Sequence, residues 1–151
     1  MKYALQRKAE PAFCSICYPY DSPFQLPCTM NHESFLSAYE QALALQSWDA
    51  LAPFIDDNAC FVFSDGTYVG KTQIERAIRA TFALIKDEKY RLENVHWVHV
   101  SCDCALCTYR FLWSGLINGV ASQGSGRGTS LLINAATGWK IKHAHLGPNA
   151  T

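Results

Sequence analysis

Two histidines near the end of the chain are the residues whose spacing best suits them to act together. His143 and His145 stand two positions apart in WKIKHAHLG, and in a β-strand such residues project from one face. An imidazole gains and loses a proton near neutral pH, so the pair could act as general acid and base, or it could only hydrogen-bond within a sheet. Zinc needs three or four ligands, so the pair alone does not predict a metal site.

Two arginines that could join the histidines belong to a predicted hairpin. Asn118-Gly119 has the composition of a type I′ turn. With these as the two turn residues, Arg110 lies opposite Arg127. Two positive charges in this arrangement are unfavourable unless an anion or a carboxylate lies between them, or unless the side chains diverge into solvent. Both alternatives remain open from the sequence.

The same register places three aromatic rings over three glycines. The predicted pairs are Tyr109 with Gly128, Phe111 with Gly126, and Trp113 with Gly124. The rings would cover the glycine backbone, and the glycines would let the sheet bend sharply. These glycines do not follow a strand and open a helix, so they do not indicate a nucleotide-binding loop.

The face on which the histidines lie depends on the last turn. A three-residue loop over residues 135–137 places His143 opposite Thr129 and His145 opposite Arg127, with Trp139 and Ile141 on the same face. A loop longer by one residue moves the histidines to the face of the glycines. The sequence leaves this one-residue slip open.

The cysteines offer a separate route to a metal. The chain has seven, and Cys14 and Cys17 have the spacing of a zinc knuckle, while Cys102, Cys104 and Cys107 stand close together. A structural zinc would require the N-terminal segment to fold back over the start of a strand. The alternative is that Cys107 is a small buried hydrophobic residue, as cysteines often are. We expect no metal and no organic cofactor.

Length, composition and charge limit the function classes. The 151 residues are 49% hydrophobic, which fits one domain. Thirteen basic and thirteen acidic residues balance, so no overall field attracts nucleic acid or an anionic membrane. No apolar run approaches the ~20 residues of a membrane span, and the first residues lack the apolar core of a secretory signal. An odd number of cysteines cannot form a complete set of disulfides within the chain. Together with the lack of a membrane span and of a secretory signal, this count predicts a cytoplasmic protein.

The first half of the chain predicts an arm followed by helices. Residues 1–29 contain four prolines and predict an extended arm or strap. A domain over 30–148 begins with a helix that Asn31 caps and that ends near Ser47, then a short helix broken by Pro53. A strand over 59–64 ends at a turn that contains Asp65. Thr72 and Glu75 have capping-box spacing and predict the start of the next helix.

The second half predicts strands near 89–100, 105–117, 120–133 and from 139 onward, with a tail at 149–151. Helices come first and an antiparallel meander follows, which indicates the α+β class, with helices on one face of a sheet.

The motifs CTYRFLWSG, GSGRGTSLLI and GWKIKHAHLG, after a helix that contains FLSAYEQALAL, resemble the SnoaL-like branch of the nuclear transport factor 2-like superfamily over about residues 31–148. The resemblance implies a cystatin-like cone, that is, a strongly bent antiparallel sheet wrapped around N-terminal helices. It also implies a homodimer through the outer sheet face and a pocket for a small, often apolar molecule. Members include polyketide cyclases, steroid isomerases, dehydratases and proteins without catalysis, so the fold does not fix the reaction.

Residue by residue, the family's last strand maps onto Trp139, Ile141, His143 and His145, and its GRGT motif onto residues 126–129. The general-base aspartate of the isomerase branch falls near Phe63, an apolar residue. Asp65 in the following turn is a displaced substitute.

These considerations predict a small-molecule-binding protein, and if it is an enzyme, a cofactor-independent acid–base isomerase, cyclase or dehydratase. The expected catalytic groups are His143, His145 and Asp65. The expected ligand-binding groups are Arg110 and Arg127, with Tyr39, Phe63 and Trp139 as apolar walls.

The alternative is a non-catalytic association module that pairs through Tyr109, Phe111 and Trp113 on the outer face. A cavity with His143 and Arg127 on its wall would favour ligand binding, and an interior filled by side chains would favour association.

Overall fold

The computed structural model describes residues 31–149, so the predicted arm and the end of the predicted tail lie outside the described residues. The described residues form three helices and six strands. Two of the strands lie between the second and third helices, and the other four follow the third helix. The helices are α1 (His32–Ala44), α2 (Trp48–Leu51) and α3 (Lys71–Leu84), and a 3₁₀ turn spans Ala52–Phe54. The strands are β1 (Ile55–Phe63), β2 (Gly66–Val69), β3 (Ile85–Val100), β4 (Cys104–Ile117), β5 (Val120–Ala135) and β6 (Gly138–Pro148).

The first helix forms where the sequence predicts it. The Asn31 side chain accepts a hydrogen bond from the Ser34 N–H at 2.8 Å and so satisfies one free donor of the first turn. Apolar residues three and four positions apart then form one buried stripe, which comprises Phe35, Leu36, Tyr39 and Ala42.

The start of α3 differs from the prediction. The N-cap is Gly70, with a φ of +81°, and no side chain caps the helix. The predicted capping box of Thr72 and Glu75 is therefore wrong: the helix begins one residue before Thr72, because the chain turns at a glycine that tolerates positive φ. Ile74 and Ile78 are its buried residues.

The sheet has the strand order β2-β1-β6-β5-β4-β3 and is mixed rather than wholly antiparallel. Strands β1 and β6 pair in parallel, and all other neighbours pair antiparallel. The short strand β2, which the sequence did not predict, pairs with β1 at one edge. The α+β class is confirmed, while the strong bend expected of the sheet stays a prediction.

The β4–β5 hairpin has the predicted register. Asn118 and Gly119 both have positive φ, +51° and +78°, as a type I′ turn requires. The three aromatic–glycine pairs are therefore confirmed. A Cβ on Gly128 would collide with the Tyr109 ring, so glycine is needed there for close approach.

The β5–β6 connection differs from the prediction and decides where the histidines lie. Ala135 pairs with Gly138, so the turn has two residues, and the register shifts again between Ile141 and His143. As a result, His143 lies opposite Leu131 and His145 opposite Thr129. This bulge lets both Ile141 and Ala144 enter the core, with exposures of 0% and 3%, while the histidines project to the other side.

One core lies between the helices and the sheet face turned toward them, called here the inner face. Its largest fully buried side chains are Phe61, Leu51, Ile55, Ile74, Leu132 and Ile141. Trp139 and Ile141 lie opposite Asn134 and Leu132, so the expectation that they share a face with the histidines is wrong. The opposite side of the sheet is called the outer face.

Candidate functional site

The predicted histidines lie on the outer face, in two rows that run across the strands. His143 lies beside Leu131 and also beside Cys60 of β1. His145 lies beside Thr129 and Val62. Cross-strand partners share a face, so this pair looks away from the helices and from the core. His143 is half-buried and His145 exposed.

Two further histidines on this face were missed by the sequence reasoning. His99 lies opposite Leu106, and His96 lies opposite Thr108. Residues three apart in a regular strand point to opposite faces, which concealed the relationship. A register shift between Trp97 and His99 places both histidines on the outer face.

The two rows have the same plan. One reads His99, Leu106, Leu131, His143, and the next reads His96, Thr108, Thr129, His145. Each row has two like residues at its centre, on β4 and β5, and one histidine at either end.

The predicted arginine pair forms a third row beside the histidines. Arg110 and Arg127 lie opposite each other as predicted, and both are exposed. Glu93 lies opposite Arg110 on the other side and forms an ion pair with Arg91 at 3.4 Å. A carboxylate thus adjoins the arginine row at one end, and the two guanidinium groups extend into solvent.

The expected apolar walls lie on the inner face, so the structure does not bring the predicted site together. Phe63 packs beside Phe61, with ring centroids 5.9 Å apart, and Trp139 lies 6.1 Å from the His32 ring. Asp65 is in the turn after β1, where its carboxylate accepts a hydrogen bond from the Tyr68 hydroxyl at 3.0 Å. That hydrogen bond is the main cause that raises the pKa of Tyr68.

Tyr39, the third predicted wall residue, belongs to a group of tyrosines inside the domain. Tyr39 comes from α1, Tyr90 from β3 and Tyr109 from β4. The Tyr109 hydroxyl shares a hydrogen bond of 2.9 Å with the buried Ser130 hydroxyl. Within residues 31–149, the Tyr39 and Tyr90 hydroxyls have no hydrogen-bond partner among other residues. The Tyr39 and Tyr90 hydroxyls can therefore still donate a hydrogen bond to another molecule.

Burial sets the protonation of this tyrosine group. It raises the pKa of Tyr109 to about 12, although the Ser130 hydroxyl opposes the shift. Burial also raises the pKa of Tyr39 and of Tyr90, and for Tyr90 the nearby Tyr109 and Tyr39 add to the effect. At neutral pH these hydroxyls are uncharged and act as hydrogen-bond donors rather than as bases.

One carboxyl group near Tyr90 has a perturbed pKa. Burial raises the pKa of Glu88, and its charge in turn contributes to raising that of Tyr90. Its backbone N–H donates to the Gln46 side chain at 3.4 Å. Sequence reasoning missed Glu88, because neither its burial nor its position beside the left-handed residue Asp87, with a φ of +51°, could be derived from pattern.

The aromatic residues expected on the outer face lie on the inner face instead. Tyr109 is 6% exposed and belongs to the core, and Phe111 packs against that core. The Phe111 ring stacks on Tyr90 at 6.1 Å. The sequence-based assignment of these rings to a pairing surface is therefore wrong: they cover the glycines on the side that faces the helices.

The cysteines of the described residues do not form a metal centre. Cys107 is buried, and burial raises its thiol pKa to about 11. No cluster of three or more His, Cys, Asp or Glu that could hold a metal occurs within residues 31–149. Cys14 and Cys17 lie outside the described residues.

Two open clefts adjoin the sheet. One, of about 520 Å³, lies at the β4–β5 hairpin and includes Asp87, Lys89, Ser114 and Gln123. The other, of about 240 Å³, lies between α1 and β3. Neither is lined by His143, Arg127 or the other predicted site residues.

No helix within the described part of the chain is long and apolar enough to cross a membrane. No curated protein sequence matches the chain.

Solved structures with the same fold come from proteins with different names. An NTF2-like superfamily protein from Salmonella enterica is 18% identical, with a TM-score of 0.71, and the match covers 78% of this chain and 87% of that one. A Xanthomonas campestris protein, provisionally named a calcium/calmodulin-dependent protein kinase II association domain, is 15% identical, with a TM-score of 0.67 and coverages of 78% and 86%.

A third, from Novosphingobium aromaticivorans and provisionally named a scytalone dehydratase, is 14% identical, with a TM-score of 0.69 and coverages of 78% and 81%. At these identities the likeness establishes the fold alone. The model of the SnoaL-like domain matches residues 33–150, which is most of the chain and includes both sheet faces described above. The chain therefore belongs to the SnoaL-like domain family.

Proposed function

We propose that this domain is an association module in which two copies pair through the outer sheet face. The observation that carries the proposal is the layout of that face. Leu106 and Leu131 lie side by side on adjacent strands, β4 and β5, and are only half-buried, although each of these strands has a neighbour on both sides. A second copy would remove these side chains from water.

The surroundings of the two leucines suit an interface. Interfaces between like chains have an apolar centre and a polar rim. Here histidines flank the leucines, and Arg110 and Arg127 lie two rows away. A two-fold axis near the leucine pair would bring each leucine against its counterpart in the partner. The inner face is filled by the core, which is the arrangement that favours association over a pocket lined by His143 and Arg127.

The test is the molar mass of a charge variant. Leu131→Asp places a carboxylate at the centre of the face, and desolvation of that charge should weaken pairing by roughly a hundredfold or more. Val120→Asp is the matched control, because Val120 is 66% exposed at the hairpin turn. Size-exclusion chromatography with light scattering should give a monomer for Leu131→Asp and a dimer for Val120→Asp. Equal masses for the two variants would contradict the proposal.

A second candidate is the binding of a small molecule at the inner-face tyrosines. The observation that favours it is the pair of hydroxyls of Tyr39 and Tyr90 beside Tyr109. Neither binds another residue within 31–149, and neither oxygen is sealed from solvent, so both can donate to a ligand. The ligand class would be a small apolar molecule with a carbonyl or carboxylate oxygen. Glu88, whose pKa burial raises, would be the proton-transferring group if the ligand is transformed, as in isomerase, cyclase or dehydratase chemistry.

A thermal-shift screen of aromatic ketones and carboxylic acids tests this candidate, because a ligand bound only to the native state raises the melting temperature. A compound that binds at the tyrosines should lose its shift in Tyr90→Phe and keep it in Tyr68→Phe, since the Tyr68 hydroxyl already binds Asp65. An equal shift in both variants would contradict binding at this site.

The proposal gives new roles to most of the predicted site residues. His143, His145, Arg110 and Arg127 become part of the pairing surface, instead of acting as catalysts or ligand-binding groups. Asp65, the third predicted catalyst, lies in its turn and is not part of that surface. A cytoplasmic location is also proposed. The free thiols of Cys60, Cys104 and Cys107 support it, because free thiols are typical of reducing compartments.

A further inference from the structure

The free edge of strand β3 carries an apolar surface that the proposed pairing face does not include. β3 is an edge strand of the sheet, since only β4 pairs with it. Near its end, Val95, Val98 and Val100 are 37%, 54% and 46% exposed. With Trp97, and with Leu36 and Leu92 of the adjacent cleft, they form what is called here the β3 edge strip.

The first part of the same edge is protected by side chains of α1 and of the turn that follows it, unlike the strip. The Glu40 side chain accepts a hydrogen bond from the Leu92 N–H at 3.0 Å. The Gln46 side chain donates to the Ile85 carbonyl at 2.8 Å and accepts from the Glu88 N–H. Side chains thus cap the edge up to Leu92. Proteins usually cover or charge an edge strand, yet beyond this point the edge presents valines.

We propose that residues 12–18 of the same chain bind on the β3 edge strip and cover it. The point at which the described chain begins supports this occupant. The His32 ring, in the first turn of α1, lies 4.5 Å from the Trp97 ring in an edge-on arrangement. The preceding thirty residues therefore join the domain at the strip itself.

The composition of the N-terminal segment fits the strip. Residues 12–18 read AFCSICY, between Pro11 and Pro19, and form a proline-free apolar stretch of seven residues. An extended stretch of that length spans about 20 Å, as do residues 95–100 in β3. Residues 19–31 can extend to roughly 45 Å, so the connection reaches any part of the strip in either direction.

Charge favours the same occupant. The cleft beside the strip includes Glu33 and Glu40. The first ten residues of the chain contain Lys2, Arg7 and Lys8 against one acidic residue, Glu10. A basic segment that leads into an apolar one would place opposite charges beside the cleft, which adds to specificity more than to affinity.

The decisive experiment is limited chymotrypsin digestion of the full chain, with cleavage after Phe13 followed by mass spectrometry. Val98→Asp should release the segment and speed this cleavage roughly tenfold, since proteolysis follows the population of the open form. Val120→Asp is the matched control, with the same change at a similarly exposed valine, and should cleave as the wild type does. Equal rates for the two variants would overturn the proposal.

A reciprocal pair of variants keeps the test independent of strand β3. Ile16→Asp should increase hydrogen exchange of the amides of residues 95–100, and Ser15→Asp should increase it less. If neither variant changes exchange there, the segment does not cover the strip. If protection of the strip falls on dilution of the wild type, a second copy covers it, which also overturns the proposal. Leu131→Asp should leave exchange of the Val95, Val98 and Val100 amides unchanged, and because His96 and His99 belong to the outer face, only these three amides separate this inference from the proposed dimer.

Discussion

The two faces of this sheet are built from alternate residues of the same strands, yet they differ in how much each residue is constrained. On the inner face, glycines 124, 126 and 128 accept aromatic rings, and Leu132 and Ile141 are completely buried. On the outer face, Leu131 is one position from Leu132 and His143 is two positions from Ile141, and both are half-buried. The difference indicates that the inner face determines the fold, while the outer face is free to carry function.

The largest expected effect comes from removing a ring of the inner face. Phe61 is 1% exposed, and Phe61→Ala should lower the free energy of unfolding by about 3–5 kcal/mol. Leu131→Ala, on the outer face, should cost about 1 kcal/mol in the monomeric state. Denaturant unfolding at low protein concentration measures both. Similar losses for the two variants would remove the distinction between the faces.

A glycine comparison sharpens the same distinction. A Cβ on Gly128 would meet the Tyr109 ring and the Leu146 side chain, so Gly128→Ala should cost about 1–3 kcal/mol by overpacking. Gly147 has no atom within 4 Å of its Cβ position, and Gly147→Ala should be nearly neutral. Thermal unfolding of the two alanine variants is the measurement, and a destabilised Gly147→Ala with an unaffected Gly128→Ala would refute the assignment.

The inner face also predicts a loss of stability in alkali. Burial raises the pKa of Tyr109 from 10.0 to about 12, so the unfolded chain ionises first as the pH rises above 10. The stability that the neutral phenol contributes is complete below pH 10 and is lost between about pH 10 and 12, by about 1–2 kcal/mol. In Tyr109→Phe, unfolding free energies measured from pH 8 to 11 should fall less steeply. An unchanged slope would contradict the buried environment of this phenol.

The smallest effect concerns the bulge that separates the faces. Lys142 lies at this bulge and binds Asp56 at 2.7 Å. The Lys142 hydrogen bond is the main cause that lowers the pKa of Asp56, so the pair stabilises the fold above the ordinary aspartate pKa and loses this contribution as the pH falls below it.

Because both side chains are partly exposed, Asp56→Asn should cost only about 0.5 kcal/mol at pH 7 and less at pH 3. Asp57→Asn is the control, since Asp57 is 87% exposed and its ion pair with Lys71, at 3.3 Å, is screened by solvent and should contribute little. Equal losses at both pH values would show that the ion pair is not the cause.

How far the sequence could predict this arrangement depends on whether a residue's neighbours are local. The β4–β5 register followed from Asn118-Gly119, because a two-residue turn fixes every pair in the hairpin. The core stripe of α1 followed from its period. Both depend on residues close together in the chain.

The rest depended on contacts that sequence pattern does not contain. The parallel pairing of β1 with β6 joins residues about 80 positions apart, and it reflects packing of the whole sheet. The bulge after Ile141 arises because Ile141 and Ala144 both enter the core, although they are three positions apart and would point to opposite faces of a regular strand. The outer-face histidines of β3 were hidden by a similar shift, and so the candidate site was predicted only in part.

The molar mass of the wild-type chain in solution tests the central claim most directly, because that claim is that the outer face exists to pair two copies. Light scattering at neutral pH and micromolar concentration should give twice the chain mass of 16.8 kDa. A mass of one chain that persists as the concentration is raised a hundredfold would contradict the account.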